Sequence, residues 1–155
     1  MASGSARRQA APRVDYETLA DLRYHIRLFL RVREEAARAA GVEPQQYVLL
    51  LQVKGFERRR PATIGALAER LQIRHHATVQ LVDRLSRRGL VRRRRAEPDR
   101  RGVVVELTPR GEAVLRSLAL NSLAELRSAG PALASTLTRV IELNGGRPRP
   151  GRRRR

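Results

Sequence analysis

Apolar residues first recur at helical spacing between Tyr16 and Ala40, where Leu19, Leu22, Ile26, Phe29 and Leu30 share one face. Gly41 ends that helix, and Pro44 then sits where a first helical turn tolerates proline. Tyr47 to Val53 is a nearly unbroken apolar run closed by Gly55, which predicts a central helix buried on several sides. Thr63 reads as an N-cap for a short helix carrying Ile64, Leu67, Ala68 and Leu71. A break over Gln72 to Arg74 separates it from a second helix running from His75 to Arg88 and stopped by Gly89. The inward face of that second helix holds Thr78, Leu81, Val82 and Leu85. Two short helices around a tight turn form a helix-turn-helix over 63–88.

The period then switches from helical to alternating. Leu90 to Arg95 and Val103 to Leu107 read as strands, and the AEPDRRG between them has the Pro, Asp and Gly of a hairpin tip. Thr108 caps a further helix with Pro109 at its first position and Val114, Leu115, Leu118, Leu123 and Leu126 along it. Gly130-Pro131 predicts a break, and a final short helix follows over about 132–143. The expected fold is mainly α with a small β-hairpin wing at 90–107, in one domain over 15–143. Within it, 44–108 is the lobe that holds the helix-turn-helix and the wing.

Composition changes the picture in one respect. Arginine and lysine total 33 against 15 acidic residues, a formal net charge of +18 in 155 residues. Such a surface attracts polyanions, of which nucleic acid is the usual one. Lys54 is the only lysine, so the preference for Arg could partly reflect genomic base composition, but the excess of positive charge could not. Aromatics are 3% of the chain, which leaves Leu, Val, Ile and Ala to pack the core and favours helices over a sheet-rich fold. Without cysteine, disulfides, thiolate metal sites and thiol redox switches are excluded. No run approaches the ~18 apolar residues of a membrane span, and residues 1–12 lack the apolar segment of a secretory signal. A cytoplasmic, nucleoid-associated protein with no membrane partner is expected. The basic tails, 1–14 and the Arg-rich 144–155, are expected to be disordered, either touching DNA phosphates or simply solvated.

Candidate chemistry concentrates on the second helix of the motif and on the hairpin. A recognition helix enters the major groove, where each base pair shows a distinct donor and acceptor pattern. Opposite the buried face stand His76, Ala77, Gln80, Asp83, Arg84 and Arg87, with His75 and Val79 at the margin. His75, His76 and Gln80 are the candidates for reading bases: Gln80 can bond adenine bidentately, and Val79 can meet a thymine methyl. Arg84 and Arg87 suit phosphates, and Thr78 is counted with this DNA-binding set. In the wing, Arg94, Arg95 and Arg100 offer cations to the backbone and minor groove. The alternative for the paired histidines is a solvated turn; metal binding is disfavoured because no third ligand stands at metal spacing. No phosphate-cradling glycine motif and no nucleophile with a base suggests an enzyme, and no cofactor is expected.

The stretch PATIGALAERLQIRHHATVQLVDRLSRRGLVRRRRAEPDRRGVVVELTPRGEAVL resembles the MarR family of dimeric winged-helix regulators. The matching pieces are LAERL, VDRLSRRGLVRR, the wing DRRGVVVELT and the closing PRG, in that order and spacing. The resemblance implies a homodimer whose terminal helices, about 16–40 and 109–143, interlace so that two winged lobes straddle a palindrome on double-stranded DNA. The amphipathic Leu19–Leu30 and Leu115–Leu126 segments agree, because alone they would expose too much apolar surface. It further implies that Asp99 holds the hairpin tip while Arg101 probes the minor groove, and that Asp83 orients wing arginines by an ion pair. Many members are released from DNA by small aromatic acids, and Arg23, Tyr24, His25 and Arg27 are candidates to line a pocket for such an organic anion. The competing expectation is that Arg23 and Arg27 are solvated and Tyr24 is core. The branch that senses peroxide through a cysteine is ruled out. The rival readings are a non-specific architectural DNA-binding protein and a winged helix that binds a protein partner.

Overall fold

The computed structural model describes residues 14–57, 60–95 and 103–144. Among them the order is α1 (Tyr16–Ala39), α2 (Pro44–Phe56), α3 (Ile64–Leu71), α4 (His75–Arg87), β1 (Val91–Arg95), β2 (Val103–Leu107) and α5 (Pro109–Asn144). The chain forms two compact units, Leu30–Leu126 and a second made of the residues before and after it.

In the larger unit, each helix end follows from local chemistry. Gly41, at φ +71°, takes the left-handed conformation that closes α1, since a residue without Cβ adopts it without strain. Pro44 opens α2, and the Gln46 side-chain oxygen accepts a hydrogen bond from the Glu43 N–H. The Thr63 hydroxyl caps α3 by accepting from the Ala66 N–H at 3.2 Å. Gln72, the only non-glycine with positive φ among the described residues, makes the tight turn into α4. Helix α2 passes Gly55 by one residue before it ends.

The core lies where the apolar pattern placed it. Leu49, Leu50 and Val53 of α2, Leu67 of α3 and Leu81, Val82 and Leu85 of α4 are buried with Leu90, Val91, Val105 and Leu107 of the hairpin. Leu115 and Leu118 of α5 complete that cluster. β1 and β2 pair antiparallel with Val91 opposite Leu107 and Arg95 opposite Val103. The Val105 N–H also donates to the Ala62 carbonyl at 2.9 Å, which fastens the hairpin to the start of α3.

In the smaller unit, Asp15 caps α1 by accepting from the Thr18 N–H and hydroxyl, and Arg139 of α5 donates to that hydroxyl at 3.3 Å. The expected break at Gly130-Pro131 does not occur, and α5 continues through Pro131 to Asn144. Proline removes one N–H donor and crowds the carbonyl four residues before it. Alanines at 129, 132 and 134, together with ordinary helix formers on both sides, sustain propagation across that gap.

Candidate nucleic-acid interface

Helix α4 is anchored by one face and open on the other. Thr78, Leu81, Val82 and Leu85 are buried, each at most 2% exposed. His75, His76, Gln80, Arg84 and Arg87 are exposed on the rest of the helix, with Ala77, Val79 and Asp83 half-buried between the two faces. No acidic residue lies in the first turn, and Arg74 at the N-cap supplies no side-chain cap. The positive end of the helix dipole therefore keeps its N–H groups available beside two imidazoles.

Thr78 must be removed from the set of DNA-facing residues. Its side chain is fully buried, and its hydroxyl donates to the Arg74 carbonyl at 3.2 Å. Its position on the apolar face of the wheel already indicated this.

The hairpin brings arginines to both sides of β1, because successive side chains on a strand alternate. Arg93 turns toward α4 and pairs with Asp83 at 2.8 Å, while also donating to the Val79 carbonyl at 3.4 Å. The expected ion pair between Asp83 and a wing arginine is thus present, and the arginine is Arg93 rather than Arg94 or Arg95. Arg92 and Arg94 lie on the other side and share Glu106, at 3.0 and 2.7 Å. Desolvation works to raise the Glu106 carboxyl pKa, but hydrogen bonds from Arg94 and Arg92 outweigh it and hold it below its ordinary 4.5. Arg94 is therefore committed to an intramolecular partner, whereas Arg95 is exposed at the end of the strand. Asp99, Arg100 and Arg101 lie outside the described residues, as do both basic tails.

Arg23, Tyr24 and Arg27 are exposed on α1. Tyr24 is 61% exposed and not core; its ring stands edge-on to His25 at 5.4 Å. Tyr24 falls on the side of the helix opposite the i, i+3, i+7 pattern of Leu19, Leu22 and Ile26. No cluster of three potential metal ligands occurs among the described residues.

A helix-turn-helix whose second helix is backed by an antiparallel basic hairpin defines a winged-helix domain. Residues 40–102 match the MarR family. Over 75 residues the chain is 35% identical to the uncharacterized HTH-type transcriptional regulator YfiV of Bacillus subtilis, a match spanning 48% of this chain. That match covers 44% of YfiV, so the chain spans less than half the length of this relative. Among solved structures, AbsC, a MarR family transcriptional regulator from Streptomyces coelicolor, is similar with a TM-score of 0.66 and 24% identity, over 86% of this chain and 92% of AbsC. A mutant of Staphylococcus aureus MepR bound to an oligodeoxyribonucleotide is similar with a TM-score of 0.59 and 15% identity, over 84% of this chain and 98% of that one. At such identities the two structures establish the shared fold alone.

Proposed function

We propose that this chain is a sequence-specific DNA-binding transcriptional regulator, acting as a homodimer on a palindromic operator, most simply as a repressor. One observation carries the reading: α4 is fixed by four buried side chains while His75, His76, Gln80, Arg84 and Arg87 stand exposed. A helix held in this way is a rigid probe of the width a major groove accepts. Gln80 offers the bidentate amide that reads adenine, Val79 an apolar edge for a thymine methyl, and Arg84 and Arg87 the charges that hold phosphates. The formal charge of +18 supplies long-range attraction. YfiV is itself described as a transcriptional regulator, and the MepR mutant was solved on DNA, which supports the same assignment here.

The dimer rests on exposed apolar side chains at the helix ends: Tyr16, Ile26, Leu137, Ile141 and Leu143 are all 41% exposed or more. A second copy is the occupant that symmetry and the family resemblance favour. Release by a small aromatic or organic anion near Arg23 and Arg27 completes the proposal, and the working compartment is the cytoplasm.

Net charge alone favours a second reading, a non-specific architectural protein. Footprinting on the genomic DNA upstream of its own gene separates the two. A bounded, symmetric footprint that survives competitor DNA is the expected result. Uniform protection that disappears with competitor establishes the architectural role instead.

A further inference from the structure

Arg88 is the first residue beyond α4, in the RR pair before Gly89. In so basic a chain, an arginine beside the recognition helix would by default be a phosphate contact. Its guanidinium is committed elsewhere. One terminal nitrogen donates to the Gln46 side-chain oxygen at 2.7 Å, and the other to the Gly41 carbonyl at 2.7 Å. Gln46 is only 5% exposed, and the same oxygen accepts the Glu43 N–H at 3.3 Å. Gly41 lies just past the end of α1, so the bond to its carbonyl ties Arg88 to that helix's C-terminal turn. Charge-assisted bonds of this length, made by a planar fork, fix orientation as well as distance.

The next two residues are held from the other side. The Gly89 carbonyl accepts the Thr108 hydroxyl at 2.6 Å, and the Leu90 carbonyl accepts the Thr108 N–H at 3.1 Å. That hydroxyl also caps α5 by accepting the Gly111 N–H at 3.0 Å. A Cβ at Gly111 would collide with the Leu90 carbonyl oxygen, so only glycine lets α5 begin this close. This explains the glycine of the PRG segment. The turn Arg88–Leu90 is therefore clamped between the end of α1 with the start of α2 and the start of α5.

We propose that Arg88 is a positioning residue for DNA recognition. By locking the C-terminal end of α4 to Gln46 and Gly41, it sets the angle at which the base-reading His76 and Gln80 are presented. This rests on the regulator reading above. Arg88 acts through its fork rather than its charge, so lysine cannot replace it.

The test uses the full chain, a duplex selected by it from a random-sequence pool, and a scrambled duplex of equal length. Arg88→Lys and Gln46→Met are each expected to weaken the selected duplex by about tenfold while leaving the scrambled duplex and the salt slope unchanged. The double variant should lose no more than Arg88→Lys alone, because Gln46→Met cuts one of the two bonds that the lysine already removes. Normal affinity in Arg88→Lys overturns the proposal. So does equal loss on both duplexes in Arg88→Gln with a salt slope lower by about one, which marks a phosphate anchor. A merely structural role would lower the melting temperature and leave the ratio between duplexes intact at temperatures well below it. If the wild type shows no preference between duplexes, the regulator reading fails on its own. Amide exchange then decides: both variants must accelerate exchange in the last turn of α4, and unchanged protection there overturns the locking role.

Discussion

All buried hydrophobic side chains among the described residues lie between Ala37 and Leu118. The two helix ends, 14–29 and 127–144, bury only Thr18 and Thr136. The first region thus has a core of its own, built from α2, α3, α4 and the hairpin with Ala37 of α1 and Leu115 and Leu118 of α5. Within the second, Arg139 of α5 donates to the Thr18 hydroxyl of α1, while the Thr136 hydroxyl donates to Ala132 and the His25 ring bonds to the Asp21 carbonyl inside their own helices. Meanwhile that region exposes Tyr16 at 77% and Ile141 at 60%. Burial is the main favourable term in folding, so the lobe stands on its own contacts, whereas the helix ends leave apolar side chains exposed. Reading DNA calls for the first property and association for the second.

The contrast can be broken most severely in the lobe. Leu85→Ala, at a fully buried position on α4, is expected to cost about 2–5 kcal/mol in chemical denaturation. The same truncation at the 46%-exposed Leu137 should leave the lobe's unfolding midpoint in place. A comparable loss at both positions would erase the distinction between the regions.

The next effect belongs to the helix ends. Ile141→Glu places a charge on the proposed interface, at a cost of about 2 kcal/mol or more to association. Light scattering at micromolar concentration should fall from about twice 17.5 kDa toward 17.5 kDa, with helical content by circular dichroism unchanged. A monomeric wild type would leave those apolar faces unexplained.

Two smaller effects sharpen the description of the wing. Glu106 binds its proton more weakly when folded, so its contribution to stability is intact at neutral pH. That contribution is lost as pH falls below the ordinary value of 4.5 and through the lower folded one. Glu106→Gln should therefore flatten the acid limb of the stability profile, measured by thermal melts between pH 7 and the acid transition. An unchanged limb would mean that the Arg92 and Arg94 pairs are too solvated to matter. Asp83→Ala breaks the exposed pair with Arg93 and should cost no more than about 1 kcal/mol in stability, because exposed ion pairs are screened.

Local pattern made much of this legible. The buried face of α4 was readable because Thr78, Leu81, Val82 and Leu85 repeat at helical spacing, and the caps at Thr63 and Thr108 because capping is a matter of neighbouring residues. Long-range partners were not. Nothing near Arg88 in sequence announces Gln46 or Gly41, 42 and 47 residues away. Glu106 could have been paired with Arg92 and Arg94 only by knowing the strand register. The stop expected at Gly130-Pro131 weighs the lost donor and not the helix-forming residues around it, and α5 runs on through Pro131. Tyr24 is 61% exposed because it stands across the helix from the apolar stripe, which its aromatic character alone does not reveal.

The central claim is that the exposed face of α4 reads base sequence while its arginines hold the backbone. Affinities of wild type, Gln80→Ala and Arg84→Ala for a selected duplex and a scrambled one, measured at two salt concentrations, test it most directly. Gln80→Ala should lose about 1–3 kcal/mol on the selected duplex and almost nothing on the scrambled one. Arg84→Ala should weaken both and lower the salt slope by about one. Equal weakening of both duplexes by Gln80→Ala, with no change in their ratio, would contradict the account.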